Sequence, residues 1–133
     1  LKQGFVRAPK KREELAMNQL VNIFKLLSDE TRLRILMLLF QEELCVCQLS
    51  GILDVPQPRV SQSLSKMRDM GLVSDERQEK YIFYSLKKDN ATLVNALKDI
   101  LDQISSYPQL GEDQKGLKDK AYYLENCGTS CKR

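Results

Sequence analysis

Apolar residues recur at helical spacing along most of this chain. Leu20, Ile23, Phe24 and Leu27 follow i, i+3, i+4, i+7 and predict an amphipathic helix beginning near Arg12. Ser28 reads as the N-cap of the next helix, with Asp29 and Glu30 in its electropositive first turn. That helix, about Asp29 to Phe40, is apolar nearly all round and so predicts a central buried element. A polar link, Gln41 to Leu44, leads to a short helix over about Val46 to Leu53, broken by Asp54-Val55-Pro56. The following helix opens at Pro58, carries Val60, Leu64 and Met67 on its inner stripe, and stops at Gly71.

The pattern then changes to β. Leu72 to Arg77 and Lys80 to Leu86 read as two strands joined at Gln78-Glu79, a poor match to a tight Asn-Gly turn, so a longer tip is expected. A strong helix follows from about Asn90 to Ser106. Its Leu93, Leu97, Ile100, Ile104 and Tyr107 form a heptad-like seam widened by Val94 and Leu101, and Pro108 ends it. Gln109 to Gly116 reads as loop, and Leu117, Ala121 and Leu124 are spaced for one more helix.

Helix, helix, short helix, tight turn, helix, β-hairpin, helix is the order of a winged helix-turn-helix, a mainly α fold with a β-hairpin wing. The chain divides into a basic flexible arm (1–11), the winged domain (12–107) and a C-terminal extension (108–133). At 133 residues and 42% apolar composition this is one ordinary globular domain. No apolar run is long enough to span a bilayer, so no membrane partner is expected. The N-terminus lacks a signal-peptide core, and a start at Leu1 without Met reads as a trimmed chain. A cytoplasmic protein is the expectation.

Net charge is only +3, but its distribution is uneven. Lys2, Arg7, Lys10, Lys11 and Arg12 make a basic arm, and Gln57 to Arg68 contains no acid. In a helix-turn-helix the second helix lays its polar N-terminal side chains against base edges in the major groove of double-stranded DNA. Gln57, Arg59, Ser61, Gln62 and Ser65 are the candidate readers; Arg59 suits guanine and Gln62 adenine. Lys66 and Arg68 lie further along and suit phosphates, while Arg77 and Lys80 of the wing suit the backbone or minor groove. A twofold dimer would read a palindrome. Its predicted interface is the terminal-helix seam, Leu93, Leu97, Ile100, Leu101 and Ile104, joined by Leu20 of the first helix.

The chain has no histidine, which excludes Ser-His and Cys-His nucleophilic pairs and imidazole metal sites; nor does it have a glycine-rich phosphate loop. An enzyme is not expected, and no resident cofactor is required. Four cysteines in a cytosolic setting argue against a disulfide framework. Cys45 and Cys47 fall at the start of the short helix, where positions i and i+2 face roughly opposite sides. Sharing one ion there requires a frayed, extended or distorted backbone.

Glu43-Leu44-Cys45-Val46-Cys47-Gln48-Leu49 resembles the metal-binding motif of the ArsR/SmtB family of metal-sensing repressors. Phe24 to Leu36, Gln57 to Arg68, Gly71-Leu72-Val73 and the wing residues Arg77 to Tyr81 and Tyr84 to Leu86 carry the resemblance across about residues 15–105. It implies an apo-dimer that represses from an operator and is released by an inducer ion. Four departures stand out. Ser50 replaces a third cysteine found in some arsenite sensors, no histidine is available for the zinc site on the last long helix, Ser63 replaces a frequent histidine, and Glu79 replaces the usual wing glycine. By this resemblance the inducer is As(III) or Sb(III), with Cd(II), Pb(II) or Zn(II) as alternatives for a thiolate site. Cys45 and Cys47 supply two ligands, and Cys127 or Cys131 could supply more. Two other readings stand beside this one: a thiol-redox-responsive repressor, and a protein-interaction module that binds no DNA.

Overall fold

The computed structural model describes residues 7–127 of the chain. Helix α1 (Arg7–Leu27) packs on α2 (Glu30–Gln41), the central helix, whose Ile35 to Leu39 are all buried. A two-residue strand β1 (Leu44–Cys45) leads into α3 (Val46–Leu53), and the recognition helix α4 (Gln57–Asp69) follows. Strands β2 (Val73–Gln78) and β3 (Tyr81–Leu86) form the wing, then come α5 (Ala91–Asp102), α6 (Pro108–Lys115) and α7 (Lys120–Glu125). Short 3₁₀ turns, Ile104–Ser106 and Gly116–Asp119, flank α6.

The sheet is antiparallel in the order β1-β3-β2. Leu44 pairs with Tyr84 and Cys45 with Phe83, so the wing is hydrogen-bonded to the strand that opens α3. Buried side chains from α1, α2, α3, α4, β3 and α5 make one core, with Leu26, Leu36, Leu49, Leu64, Leu93 and Leu97 among its fully enclosed members. No helix among the described residues is long and apolar enough to cross a membrane.

Several sequence expectations are corrected. Helix α1 starts at Arg7, inside the expected arm; residues 1–6 lie outside the described residues. The N-cap of α2 is Asp29, whose carboxylate accepts the Arg32 amide at 3.0 Å; the Ser28 hydroxyl instead donates back to the Lys25 carbonyl. In α1, Ile23 and Leu26 point inward, whereas Leu20 and Phe24 point out. The wing turn is Glu79-Lys80, a tight two-residue connection, because Glu79 takes a left-handed φ of 59°. The expected helix from Asn90 to Ser106 breaks at Gln103 into a 3₁₀ turn.

The largest departure is the C-terminal extension. Gln109 to Gly116, expected as loop, is mostly the helix α6, with Pro108 in its first turn. Its octet is too polar to announce itself. What holds it is Asp113, 3% exposed, which accepts two hydrogen bonds from Arg34 of α2: Nε to Oδ2 at 2.9 Å and Nη2 to Oδ1 at 3.0 Å. Arg34 Nη2 also donates to the Leu53 carbonyl, and Gln114 donates to Gln41. The guanidinium is held above its ordinary pKa, first by the hydrogen bond to Asp113; burial opposes this, and nearby carboxylate charges assist.

Candidate DNA-binding face and thiol junction

The recognition helix buries Val60, Ser63, Leu64 and Met67 and exposes Arg59, Ser61, Gln62, Ser65, Lys66 and Arg68. All six expected outward residues beyond Gln57 thus lie on one accessible side. Pro56 and Pro58 set the entry of α4, and Gly71, with φ 76°, ends it in the conformation that glycine adopts without strain. Arg68 is not a bare charge: Nη1 bonds Asp75 Oδ2 of β2 at 2.9 Å, tying the recognition helix to the wing. That hydrogen bond, and then the carboxylate charge, raise the Arg68 pKa. Arg77 and Lys80 lie exposed towards the wing tip, with Lys80 Nζ 5.5 Å from the Tyr81 ring centre.

Cys45 and Cys47 do not both belong to a regular helix. Cys45 is extended (φ −99°, ψ 174°), is the last residue of β1 and caps α3; Cys47 is in the first turn of α3. The motif therefore straddles a strand–helix junction, so the opposite-face geometry of an i, i+2 pair in a regular helix does not apply to it. Both residues are buried, at 0% and 4% exposure.

This junction touches every neighbouring element. Gln48, buried, accepts the Cys45 amide on Oε1 at 3.0 Å and donates Nε2 to the Lys120 carbonyl of α7 at 3.2 Å. Glu42 pairs with Lys120 Nζ, and Glu43 accepts from Gln78 of the wing. Gln57 Nε2 at the start of α4 donates to Cys47 Sγ at 3.6 Å. Tyr123 of α7 stacks directly over Gly51 of α3, where a Cβ would meet the ring at 2.1 Å.

Cys47 is joined to Cys127 by a disulfide, with Cα atoms 5.6 Å apart across 80 residues of sequence. This corrects the expectation that the cysteines are unbridged, and it brings one tail cysteine to the motif. Cys131 lies outside the described residues. Ser50, at the position where some sensors have cysteine, turns away and donates Oγ to the Val55 carbonyl at 2.6 Å. Among the described residues no three Cys, Asp or Glu side chains are already gathered as a metal site.

The dimer seam expected on α5 is also partly corrected. Leu93 and Leu97 are fully enclosed within the protomer, while Ile100, Leu101 and Ile104 are half-buried. Of the outer stripe of α1, sequence reasoning named only Leu20 for the interface. Met17, Leu20, Val21 and Phe24 lie exposed at i, i+3, i+4, i+7, and that spacing is itself the signal by which the stripe can be found.

A three-stranded winged helix with an exposed polar recognition face has the layout of a helix-turn-helix DNA-binding domain. Residues 29–75 match the family described as bacterial regulatory protein, arsR family. The arsenic resistance transcriptional regulator ArsR2 of Pseudomonas putida is 34% identical over 79% of this chain and 85% of its own length. The regulator ArsR1 of the same organism is 38% identical over 60% of this chain, and the match spans 64% of that relative's length. The crystal structure of the AntR antimony-specific transcriptional repressor superposes with a TM-score of 0.59 at 26% identity, covering 70% of this chain and 83% of that one. The chain belongs to the ArsR family.

Proposed function

We propose that this protein is a homodimeric transcriptional repressor that leaves its operator when a thiophilic ion, As(III) or Sb(III), is captured by Cys45 and Cys47 with Cys127 as third ligand. The observation that carries the reading is the position of the thiols. Cys45 lies in the strand paired with the wing, Cys47 is hydrogen-bonded to the first residue of the recognition helix, and Cys127 is already against Cys47. The arsenic and antimony names of the relatives support the choice of ion.

The donor set suits such an ion: three soft sulfurs and no imidazole. Reduction of the disulfide frees two of them, and Cys45 must turn out from the α3 cap to join. That turn disturbs the β1–β3 pairing and the first turn of α3 together. Ion and DNA affinities are thereby linked with opposite sign, and couplings of this kind are typically about 5–150-fold. The outer stripe of α1, with Ile100, Leu101 and Ile104, offers the dimer surface that sets the spacing of the two recognition helices.

The test is a gel shift on the protein's own upstream DNA, with and without arsenite, under reducing conditions. The parent should be released. The double variant Cys45→Ser, Cys47→Ser should bind the DNA and ignore arsenite; release of that variant would exclude the thiol junction. Cadmium, lead and zinc titrated in parallel, followed by thiolate absorption, decide the ion.

The disulfide itself favours a second reading, in which oxidation is the signal. Peroxide would take two electrons from the Cys47 and Cys127 thiols, forming the disulfide and two waters. It predicts release by peroxide without any metal, lost in Cys127→Ser.

A further inference from the structure

The C-terminal extension meets the thiol junction at the Cys47–Cys127 disulfide, at the Glu42–Lys120 ion pair and at one buried amide, that of Gln48. Both ends of the Gln48 amide are bonded: Oε1 accepts from the Cys45 backbone and Nε2 donates to the carbonyl of Lys120, the first residue of the helix that leads to Cys127. It stands at N3 of α3 and reaches back to the N-cap, the acceptor half of a capping box. An uncharged side chain with one acceptor and one donor end is what this position needs, since one side presents an N–H and the other a C=O. Other contacts fix the extension along its length, the Arg34–Asp113 pair on α2, Tyr123 over Gly51 and the half-exposed Glu42–Lys120 ion pair, but none of these bonds the cysteine backbone.

We propose that Gln48 is the positioning residue of the thiol junction: it sets the backbone of Cys45 and the approach of Cys127 to Cys47 through the two ends of one amide. The proposal rests on the reading of Cys45, Cys47 and Cys127 as one site, and extends it by making the extension an arm that delivers a ligand within the protomer. Tying α7 to the α3 cap raises the effective concentration of the Cys127 sulfur at Cys47. Gln48 itself touches neither ion nor DNA in this assignment.

The informative change is Gln48→Glu. Ionised, as readings at about pH 8 favour, its carboxylate still accepts the Cys45 amide but sets an acceptor against the Lys120 carbonyl, so the arm loosens while the cap remains. Gln48→Met removes both bonds. The first readout is the equilibrium of the Cys47–Cys127 bond in a glutathione buffer, in full-length chain carrying Cys131→Ser. Glutathione disulfide plus the two protein thiols gives the protein disulfide and two glutathione thiols, so the equilibrium constant is the effective concentration of one sulfur at the other. The second is arsenite affinity from sulfur–arsenic absorption.

The expected result is a fall of ten-fold or more in the disulfide constant for both variants. Arsenite affinity should drop to that of Cys127→Ser, with no further loss when Gln48→Glu is added to Cys127→Ser. A disulfide constant within two-fold of the parent in both variants overturns the proposal. So does an arsenite loss of equal size in the Cys127→Ser background, which would place the effect on Cys45 alone. If the parent shows no sulfur–arsenic absorption, the inducer reading fails, while the disulfide equilibrium still decides the role of Gln48.

Discussion

Gln57 Nε2 is 3.6 Å from Cys47 Sγ, so the first residue of the recognition helix is hydrogen-bonded to a sulfur of the Cys47–Cys127 disulfide. The bond crosses from the supporting helix α3 to the DNA-reading helix α4. Any change in the bonding of this sulfur changes what Gln57 can do. Gln57→Ala is therefore expected to shrink the ratio of operator affinities without and with arsenite, by about three-fold or more. Fluorescence anisotropy measures both affinities, on labelled operator and on unrelated duplex, and the second series shows what Gln57 itself contributes to DNA contact. A ratio equal to the parent's would remove this bond from the coupling.

The Arg34–Asp113 pair is enclosed, with side chains 13% and 3% exposed. Removing one partner leaves the other charge buried and imperfectly matched. Asp113→Ala is expected to lower stability by about 3 kcal/mol, the usual order for a broken buried pair. Urea denaturation followed by circular dichroism gives the value. Loss below about 1 kcal/mol would mean that α6 lifts away and lets water reach Arg34.

Gly51 has no room for a side chain, because a Cβ would stand 2.1 Å from the Tyr123 ring. The ring must move, and the backbone of α7 with it. Gly51→Ala should cost about 1–3 kcal/mol despite the better helix propensity of alanine. Tyr123→Ala in the same chain should recover part of the loss, which a double-mutant cycle reads directly.

Arg59 and Lys66 lie on the same exposed side of α4 but at different distances from its N-terminus. Arg59→Ala should weaken operator binding by about 1–3 kcal/mol and relax base preference at one position of each half-site. Lys66→Ala should weaken all DNA sequences alike and reduce the salt slope by about 1. Affinities over a salt series, on the operator and on unrelated duplex, separate the two roles.

Phe24 is 56% exposed in the outer stripe of α1. Phe24→Glu puts a charge into that stripe without touching the core. The expected outcome is a monomer by light scattering, with operator affinity reduced at least ten-fold. A dimer unaffected by the change would move the interface away from α1.

Much of the winged domain was legible because its elements are periodic and punctuated. Val60, Leu64 and Met67 repeat at helical spacing between Pro58 and Gly71, and the structure keeps α4 within a residue or two of that reading. Val46 to Leu53 was legible for the same reason. The extension was not. Helix α6 has little apolar surface and contains Gly111; it is held by an arginine 79 residues earlier, a pairing that no local window contains. The approach of Cys127 to Cys47 is non-local in the same way. The thiol spacing was legible as a problem, and the answer, an extended Cys45 leading into a helical Cys47, needed the β1–β3 pairing that the sequence pattern does not reveal.

The enclosure of Cys45 and Cys47 bears on time rather than on equilibrium. With the Cys47–Cys127 bond reduced, a reagent in solution reaches these sulfurs by way of an opening of the mouth of α3. Once the reagent is plentiful, that opening sets the pace. On the proposed ion-responsive reading, response quickens with dose at first and then reaches a ceiling, and beyond that exposure the lag before the operator is released is a fixed interval belonging to the protein.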